Sequence, residues 1–326
     1  MAAATSASGA LVFVANAVVS QGLQLAWLDR SGKELTKVGM RARLGSVSLA
    51  PDERTAAARV VEPDGVTSGV WLQDLVRSTN SRFSPSVGSS QTPVWSPDGK
   101  RIILSGIRPG SPVNDLYWKD VGSTQESLLL KNAAAKYPSD WSRDGQYLVY
   151  TEVDPKTGAD IWVLPNPSKA SADQKPFPFA QTPFMESQGQ LSPDGRWIAY
   201  YSDESGQLEV YVRPFPSGEG KWQVSTGGGR QPRWRRDGKE LFYVAGVAPR
   251  FRLMAVPVTM GSTQQSFGSP ELLFEFRSTT SRPEANGFTY APSSDSQRFL
   301  VQKVATEVQP TLDVLMNWQR QLPGAR

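Results

Sequence analysis

A four-residue turn with aspartate in its third position recurs along the chain and limits the possible folds more than any other feature. In its clearest form, Ser-Pro-Asp-Gly, proline presets φ, the aspartate carboxylate accepts a backbone N–H, and glycine adopts a positive φ. Each copy therefore predicts a tight turn between two antiparallel strands. Six copies lie at 50–53, 96–99, 142–145, 192–195, 235–238 and 293–296, with Asp52, Asp98, Asp144, Asp194, Asp237 and Asp295 in the third position.

The spacing of these turns predicts the architecture. Successive aspartates are 43 to 58 residues apart, and short runs rich in Val, Ile, Tyr and Trp lie on both sides of the turns. A repeat of four strands at this period is typical of a β-propeller blade, in which the strands run from a central channel to the rim. We therefore predict an all-β fold, a β-propeller of four-stranded antiparallel blades that forms a single domain over residues 1–326.

The number of blades depends on how the first residues are assigned. A degraded seventh copy of the turn lies at 6–9, with Ser8 in the aspartate position, and we assign its third and fourth strands to 23–28 and 34–38. At a period of about 48 residues, seven blades need roughly 335 residues and six need about 290. The length of 326 residues therefore favours seven blades, with six as the alternative.

The seven-blade assignment leaves the ring without a strand that would close it. The last blade has predicted strands at 288–291, 298–304 and 312–318, and it lacks a fourth. Because an open sheet edge must be paired or protected, we expect the missing strand to come either from residues 1–6 or from an upstream segment of a longer chain.

Histidine and cysteine are both absent from the sequence. Their absence excludes a Ser-His-Asp triad, a thiolate nucleophile, disulfide bonds and the commonest metal ligands. Enzymes that use only carboxylates, lysine or tyrosine remain open. The 35 basic and 31 acidic side chains are interspersed and leave a net charge of +4, which does not favour a nucleic-acid partner. No run is long and apolar enough to span a bilayer, so we expect a soluble chain.

Several groups of residues suggest chemistry but are better explained by structure. The run 227–229 is all glycine, yet no Gly-Lys-Ser/Thr follows it, which favours a turn over a phosphate loop. Two arginines of the basic cluster around Trp234 occupy turn positions and are expected to face solvent. The carboxylates at 154, 160, 203 and 204 lack the spacing of a calcium loop and are assigned to solvated loops. Trp95, Trp141 and Trp234 share one repeat position and are predicted to pack between blades.

A binding site, if present, is expected where the innermost strands of all blades converge at a mouth of the central channel. Polar side chains on or just before these strands would suit a ligand held by hydrogen bonds and charge-assisted pairs. We predict no catalytic residue, metal site or cofactor. The candidate ligand-binding residues are Arg43, Gln91, Tyr137, Asp140, Glu186, Gln188, Arg230, Arg233 and Asn286.

The turns, each followed by a polar residue and an aliphatic strand, resemble the TolB-like and WD40-like propeller repeat over essentially the whole chain. More narrowly, the segments 24–33, 136–142, 154–158, 209–225 and 233–242 are similar to the C-terminal propeller of bacterial eukaryotic-like serine/threonine kinases. That resemblance implies a sensor or interaction domain on the extracytoplasmic, periplasmic side of a membrane. The sequence contains no glycine-rich phosphate loop, His-Arg-Asp or Asp-Phe-Gly motif and no Gly-x-Ser-x-Gly elbow, so neither kinase nor serine-hydrolase machinery is present.

Three functional hypotheses follow. The first is a non-catalytic propeller that binds a peptide, an envelope protein or a cell-wall or sugar ligand, with no nucleic acid and no membrane insertion of this chain, acting as a monomer. The alternative is a channel-centred propeller hydrolase or lyase that uses carboxylates and a divalent cation. The third is a structural scaffold that stacks on a neighbouring propeller.

Overall fold

The computed structural model describes residues 22–85, 87–169, 175–260, 265–278 and 287–305, together with the backbone of three strands near the termini. Regular structure in these residues is β-strand, and none of them forms a helix that would cross a membrane. In chain order the strands are β1 (Ala3–Thr5), β2 (Ala10–Ala15), β3 (Leu23–Asp29), β4 (Glu34–Leu49), β5 (Thr55–Val61), β6 (Ser68–Asp74), β7 (Asn80–Arg82), β8 (Ser89–Trp95), β9 (Arg101–Ile107), β10 (Asp115–Asp120), β11 (Glu126–Leu130), β12 (Ala135–Trp141), β13 (Tyr147–Asp154), β14 (Gly158–Pro165), β15 (Phe177–Ala180), β16 (Glu186–Leu191), β17 (Trp197–Ser202), β18 (Glu209–Pro214), β19 (Trp222–Gln223), β20 (Arg230–Trp234), β21 (Glu240–Val247), β22 (Arg250–Met260), β23 (Gln265–Phe267), β24 (Glu271–Arg277), β25 (Tyr290–Pro292), β26 (Arg298–Val304) and β27 (Thr311–Met316).

The strands form four-stranded antiparallel blades, which we number 1 to 6. Blades 2, 3 and 4 are β8 to β11, β12 to β15 and β16 to β19. Blade 5 is β20, β21, β22 and β24, while β23 pairs with the far end of β22. The long strand β4 joins two blades, because its residues up to Ala42 pair with β3 and those from Arg43 onwards pair with β5. Blade 1 is thus the second half of β4 with β5 to β7, and blade 6 is β25, β26, β3 and the first half of β4.

Strands from opposite ends of the described chain close the ring. Strand β26 pairs antiparallel with β3 along its whole length, from Arg298 opposite Asp29 to Val304 opposite Leu23. The segments 23–28 and 34–38, which the sequence analysis placed in a first blade, are therefore the outer strands of the last one. The preference for seven blades was wrong for the described residues, which follow the six-blade alternative, because a repeat period does not reveal which blade a terminal strand joins.

The terminal strands form a sheet of their own. Strand β1 pairs with β2, and β2 pairs with β27. The expectation that residues 1–6 close the last blade was therefore wrong, and so was the assignment of 312–318 to that blade as its third strand. The predicted degraded turn at 6–9 lies outside the described residues.

Buried side chains between the blades form the core. Within the described residues, six apolar clusters occupy the six spaces between neighbouring blades. The cluster that contains Leu25 and Val47 joins blade 6 to blade 1 and so completes the ring. Trp95, Trp141 and Trp234 are each buried in a different cluster. Their predicted role as packing residues between blades is confirmed.

The six repeated turns have one geometry. In every copy the fourth residue has a positive φ, and its N–H donates to the carbonyl of the first residue at 2.9 Å. The aspartate Oδ1 accepts the N–H of the residue two positions later, at 2.9 to 3.2 Å. The aspartates are therefore turn-stabilising residues, as predicted. Because each turn follows an innermost strand, all six lie on one side of the ring, which we call the turn face.

Candidate functional site

The channel opens on the turn face into a cavity of about 380 Å³, with an adjoining cavity of about 190 Å³ beneath it. The innermost strands of all six blades contribute to their walls. One position recurs, two residues before each turn, and we call this set the mouth ring. Its members are Ser48, Val94, Asp140, Gln190, Arg233 and Ala291.

Bulges in the innermost strands determine which side chains reach this cavity. The pairing of each of the first five innermost strands with its neighbour shifts register just before the mouth ring. A bulge re-aims the side chains that follow it. Gln188 and Gln231 adopt positive φ values at these bulges. Their side chains are buried and link neighbouring strands: Gln188 Oε1 accepts the Gln231 N–H at 3.0 Å, and Gln231 Oε1 accepts the Thr289 N–H at 2.8 Å.

The charged and amide members of the mouth ring are side by side on blades 3, 4 and 5. Asp140 Oδ2 accepts the Leu191 N–H at 2.8 Å, and Gln190 Nε2 donates to the Ser139 carbonyl. Arg233 Nη1 donates to Gln190 Oε1 at 3.0 Å. Ser48, Val94 and Ala291 complete the ring on the other side, so the charged and amide members of the mouth ring lie on one half only.

Arg233 and Asp140 are the ionisable groups at the floor of the mouth. The Arg233 guanidinium stacks on the Phe288 ring at 3.7 Å, and its buried Nε has no hydrogen-bond partner in the described residues. Burial lowers the pKa of Arg233, an effect that the nearby Asp140 opposes. Burial also raises the pKa of Asp140 to about 6, although Arg233 and the backbone N–H groups of Leu191 and Trp141 act in the opposite direction.

Two further arginines stand on the rim above the same half. Arg143 and Arg236 are exposed and line the upper cavity, and Arg143 Nη1 donates to the Arg236 carbonyl at 2.6 Å. The opposite rim contains Pro51, Pro97 and Pro292 together with Glu53 and Ser294. The mouth thus combines three guanidinium groups and Asp140 on one side with a mixed surface of prolines, serines and Glu53 on the other.

The predicted site residues do not form one site. Only Asp140 and Arg233 line the turn-face cavities. Glu186 and Arg230 begin their strands, Arg43 begins the part of β4 that pairs with β5, and all three lie toward the opposite end of the channel. Gln91, Tyr137 and Gln188 lie between the two ends. Asn286 lies outside the described residues.

The residues away from the mouth have structural partners. Buried Glu186 accepts hydrogen bonds from Thr182, and Arg230 Nη2 donates to the Gly246 carbonyl at 3.1 Å. Tyr137 accepts a hydrogen bond from Asn114 Nδ2 at 3.1 Å. These contacts join blades or strand ends, and they leave the turn face as the place where predicted residues converge.

The sequence analysis missed Gln190, Arg143 and Arg236 as site residues. Gln190 was detectable because it occupies the same turn-relative position as Asp140 and Arg233. Both arginines occupy turn positions; Arg236 was expected to face solvent, which it does, but the ring brings the two turns to one rim. Arg235, the other turn arginine of the cluster around Trp234, pairs with Asp237 and Glu240 instead.

Carboxylates outside the mouth are engaged in local structure. Glu209 Oε1 accepts the N–H groups of Gly227 and Gly228 at 2.7 and 2.8 Å, so these glycines hold a buried carboxylate and not a phosphate. Asp160 is buried and accepts from Thr157 Oγ1 at 2.6 Å, so its assignment to a solvated loop was wrong. Across the described part of the chain, no group of three acidic side chains is placed to hold a metal ion.

No protein-family model matches the sequence, and no curated protein matches it significantly. Solved structures do match. A protein assigned as TolB from Agrobacterium tumefaciens has a TM-score of 0.68 at 16% identity, over 86% of this chain and 98% of that one. The fold is that of a TolB-like β-propeller. TolB from Acinetobacter baumannii gives 0.58 at 16% identity, over 86% of this chain and 64% of that one.

Enzymes also occur among the structures that match. An oligogalacturonate lyase in complex with manganese gives a TM-score of 0.52 at 13% identity, over 97% of this chain and 81% of that one. Because all three sequence identities are low, these similarities establish the TolB-like propeller fold alone. Activity and ligand must be inferred from the chemistry of the site.

Proposed function

We propose that this propeller is a non-catalytic binding domain that holds a carboxylate-bearing ligand, of the peptide or cell-wall-fragment type, at the turn-face mouth. The observation that carries the proposal is Arg233, whose guanidinium lies at the floor of the cavity with a buried Nε that has no partner among the described residues. A buried donor without a hydrogen-bond partner costs free energy, so the described residues leave this guanidinium incompletely paired. A ligand carboxylate in the cavity would pair with the guanidinium nitrogens that line it.

The remaining groups suit the same ligand. Arg143 and Arg236 on the rim would attract the anion and form charge-assisted hydrogen bonds with it. Asp140 would accept N–H or O–H groups from the body of the ligand, and the proline rim would contact its apolar parts. The cavity of about 380 Å³ is at the lower end of the range for small-molecule sites.

Binding of a panel of muropeptides and short acidic peptides, measured by calorimetry, tests this proposal. Replacement of Arg233 by glutamine should weaken the tightest of them about 10- to 100-fold, the usual loss for a charge-assisted hydrogen bond of about 1.5–3 kcal/mol. Arg43→Gln, the same change at the other end of the channel, is the matched control. Equal affinities for both variants, or no binding by the folded protein, would reject the mouth as the site.

We further propose that this domain senses its ligand for a membrane-bound bacterial serine/threonine kinase, on the extracytoplasmic side. The support is the sequence resemblance of 209–225 and 233–242 to the propellers of such kinases, together with the charged side chains that converge at the mouth. In the native host, the propeller should belong to a longer polypeptide that external protease reaches in spheroplasts. A polypeptide of only 326 residues located in the cytoplasm would contradict the assignment.

A further inference from the structure

Another cavity lies far from the channel, between the outer strands of blades 5 and 6. It has a volume of about 640 Å³. We call it the basic groove and define it by its lining residues Leu28, Gly32, Lys37, Arg41, Arg250, Glu275, Phe276, Arg277, Lys303, Val304 and Ala305. None of these residues lines the mouth.

The charge of the groove is strongly unbalanced. Five basic side chains line it (Lys37, Arg41, Arg250, Arg277 and Lys303), against one lining carboxylate, Glu275. Glu34 adds a second carboxylate beside them, since it pairs with Lys303 at 2.7 Å and with Lys37 at 3.7 Å. Among the described residues that line or flank the groove, basic side chains therefore outnumber carboxylates by three.

One wall of the groove is the edge of a sheet. Glu275, Phe276 and Arg277 are consecutive residues of β24, whereas a groove against one face of a strand would be lined by alternate residues only. Strand β24 pairs with β22 and with no other strand in the described ranges. Its outer backbone N–H and C=O groups therefore run along the groove and can pair with an added strand.

The groove narrows toward the turn face. A Cβ placed on Gly32 would be 2.5 Å from the Cβ of Phe274, so the two blades touch there. At the other end Arg41 Nη2 donates to the Ala305 carbonyl at 3.1 Å. A slot of this kind, with Glu275 inside it and Glu34 beside it, fits a single extended chain better than a phosphate backbone with its continuous negative charge.

We propose that the basic groove binds an acidic peptide segment, which adds as a strand to the edge of β24 that no described strand covers and places its carboxylates against Lys37, Arg41, Arg250 and Lys303. Backbone hydrogen bonds to β24 would give the affinity, and the basic side chains would select acidic residues. This site is independent of the mouth and of the function proposed for it.

A fluorescein-labelled octapeptide of alternating Glu and Val tests the proposal by fluorescence anisotropy. The double variant Lys37→Glu with Arg250→Glu changes two exposed side chains and should weaken binding at least about tenfold. Lys131→Glu, an exposed lysine away from the groove, should change it less than about twofold. Circular dichroism of each variant verifies the fold. If the two variants bind alike, the groove is not the site.

Two further probes separate strand addition from simple charge attraction. The same peptide with alternate N-methylated residues keeps its charge but loses one row of N–H donors, and should bind at least about tenfold more weakly. An octathymidylate should bind more weakly than the unmodified peptide. Unchanged binding after N-methylation, equal binding of the oligonucleotide, or a loss caused by Arg233→Gln as large as that of the groove variant would each overturn the proposal.

Discussion

Asp140 offers the sharpest test of the idea that the mouth is built for binding at the expense of stability. Burial raises the pKa of this carboxyl from 3.8 to about 6. Between pH 3.8 and about 6, the folded protein therefore holds a proton on Asp140 that the unfolded chain has lost. At pH 7, where both states are ionised, each unit of the shift lowers the free energy of unfolding by about 1.4 kcal/mol, which gives roughly 3 kcal/mol in all.

The direction of the Asp140 pKa shift determines how the stability should depend on pH. As the pH falls from 7.5 to 4.5, the folded state binds the Asp140 proton before the unfolded state does. The contribution of Asp140 to the free energy of unfolding therefore rises as the pH falls through its folded-state pKa. The Asp98, Asp194 and Asp295 carboxyls have lowered pKa values and act in the opposite direction, but only at more acidic pH. Replacement of Asp140 by asparagine should therefore stabilise the protein by up to about 3 kcal/mol at pH 7, and the gain should shrink toward pH 4.5.

Urea unfolding of wild type and Asp140→Asn at intervals between pH 4.5 and 7.5 measures the effect. Glu219→Gln, at an exposed carboxylate of the loop before β19, is the matched control and should give curves parallel to wild type. A variant that is less stable than wild type at pH 7, or a difference that does not depend on pH, would refute the reasoning. A variant that is more stable but binds the ligand more weakly would agree with the general trade-off between stability and function.

Three further predictions concern the fold, each measured as a free energy of unfolding in urea. Ser296→Gly should stabilise by about 0.5–1 kcal/mol, because a non-glycine residue there has φ of 54°, and a loss of stability would contradict the turn geometry. Glu209→Ala should cost about 2–4 kcal/mol, since it removes the acceptor of the Gly227 and Gly228 N–H groups, and a neutral result would show that these groups find other partners. Leu25→Ala, in the strand that closes the ring, should cost about 2–5 kcal/mol, whereas Leu35→Ala in exposed surface should cost under about 0.5 kcal/mol; equal small effects would argue against closure by β3.

Local chemistry explains how much of the fold was predictable. Each turn is specified by its own four residues, and the strands beside it follow from short apolar runs, so blade architecture and the packing role of Trp95, Trp141 and Trp234 were accessible from sequence. Closure was not. Strand β3 lies at the correct spacing for a blade of its own, and its actual partner, β26, is more than 260 residues away in the chain. Repeat spacing contains no information about that pairing.

The candidate site was predicted in part, for a related reason. Asp140 and Arg233 were identified as polar residues of the innermost strands, but the residues predicted with them were distributed along the whole channel. A bulge adds one residue to a strand, and a shift of one residue moves a side chain to the other face. The bulges in the innermost strands therefore determine whether Gln188 or Gln190 faces the mouth, and no local pattern revealed their positions.

The most direct test of the central claim is a crystal structure of the protein with the tightest-binding muropeptide or acidic peptide from the panel. The account predicts a ligand carboxylate within hydrogen-bond distance of the Arg233 guanidinium on the turn face, with Arg143 or Arg236 in contact with the same ligand. A ligand bound at the opposite end of the channel beside Arg43 and Arg230, with the turn-face mouth filled only by water, would contradict it.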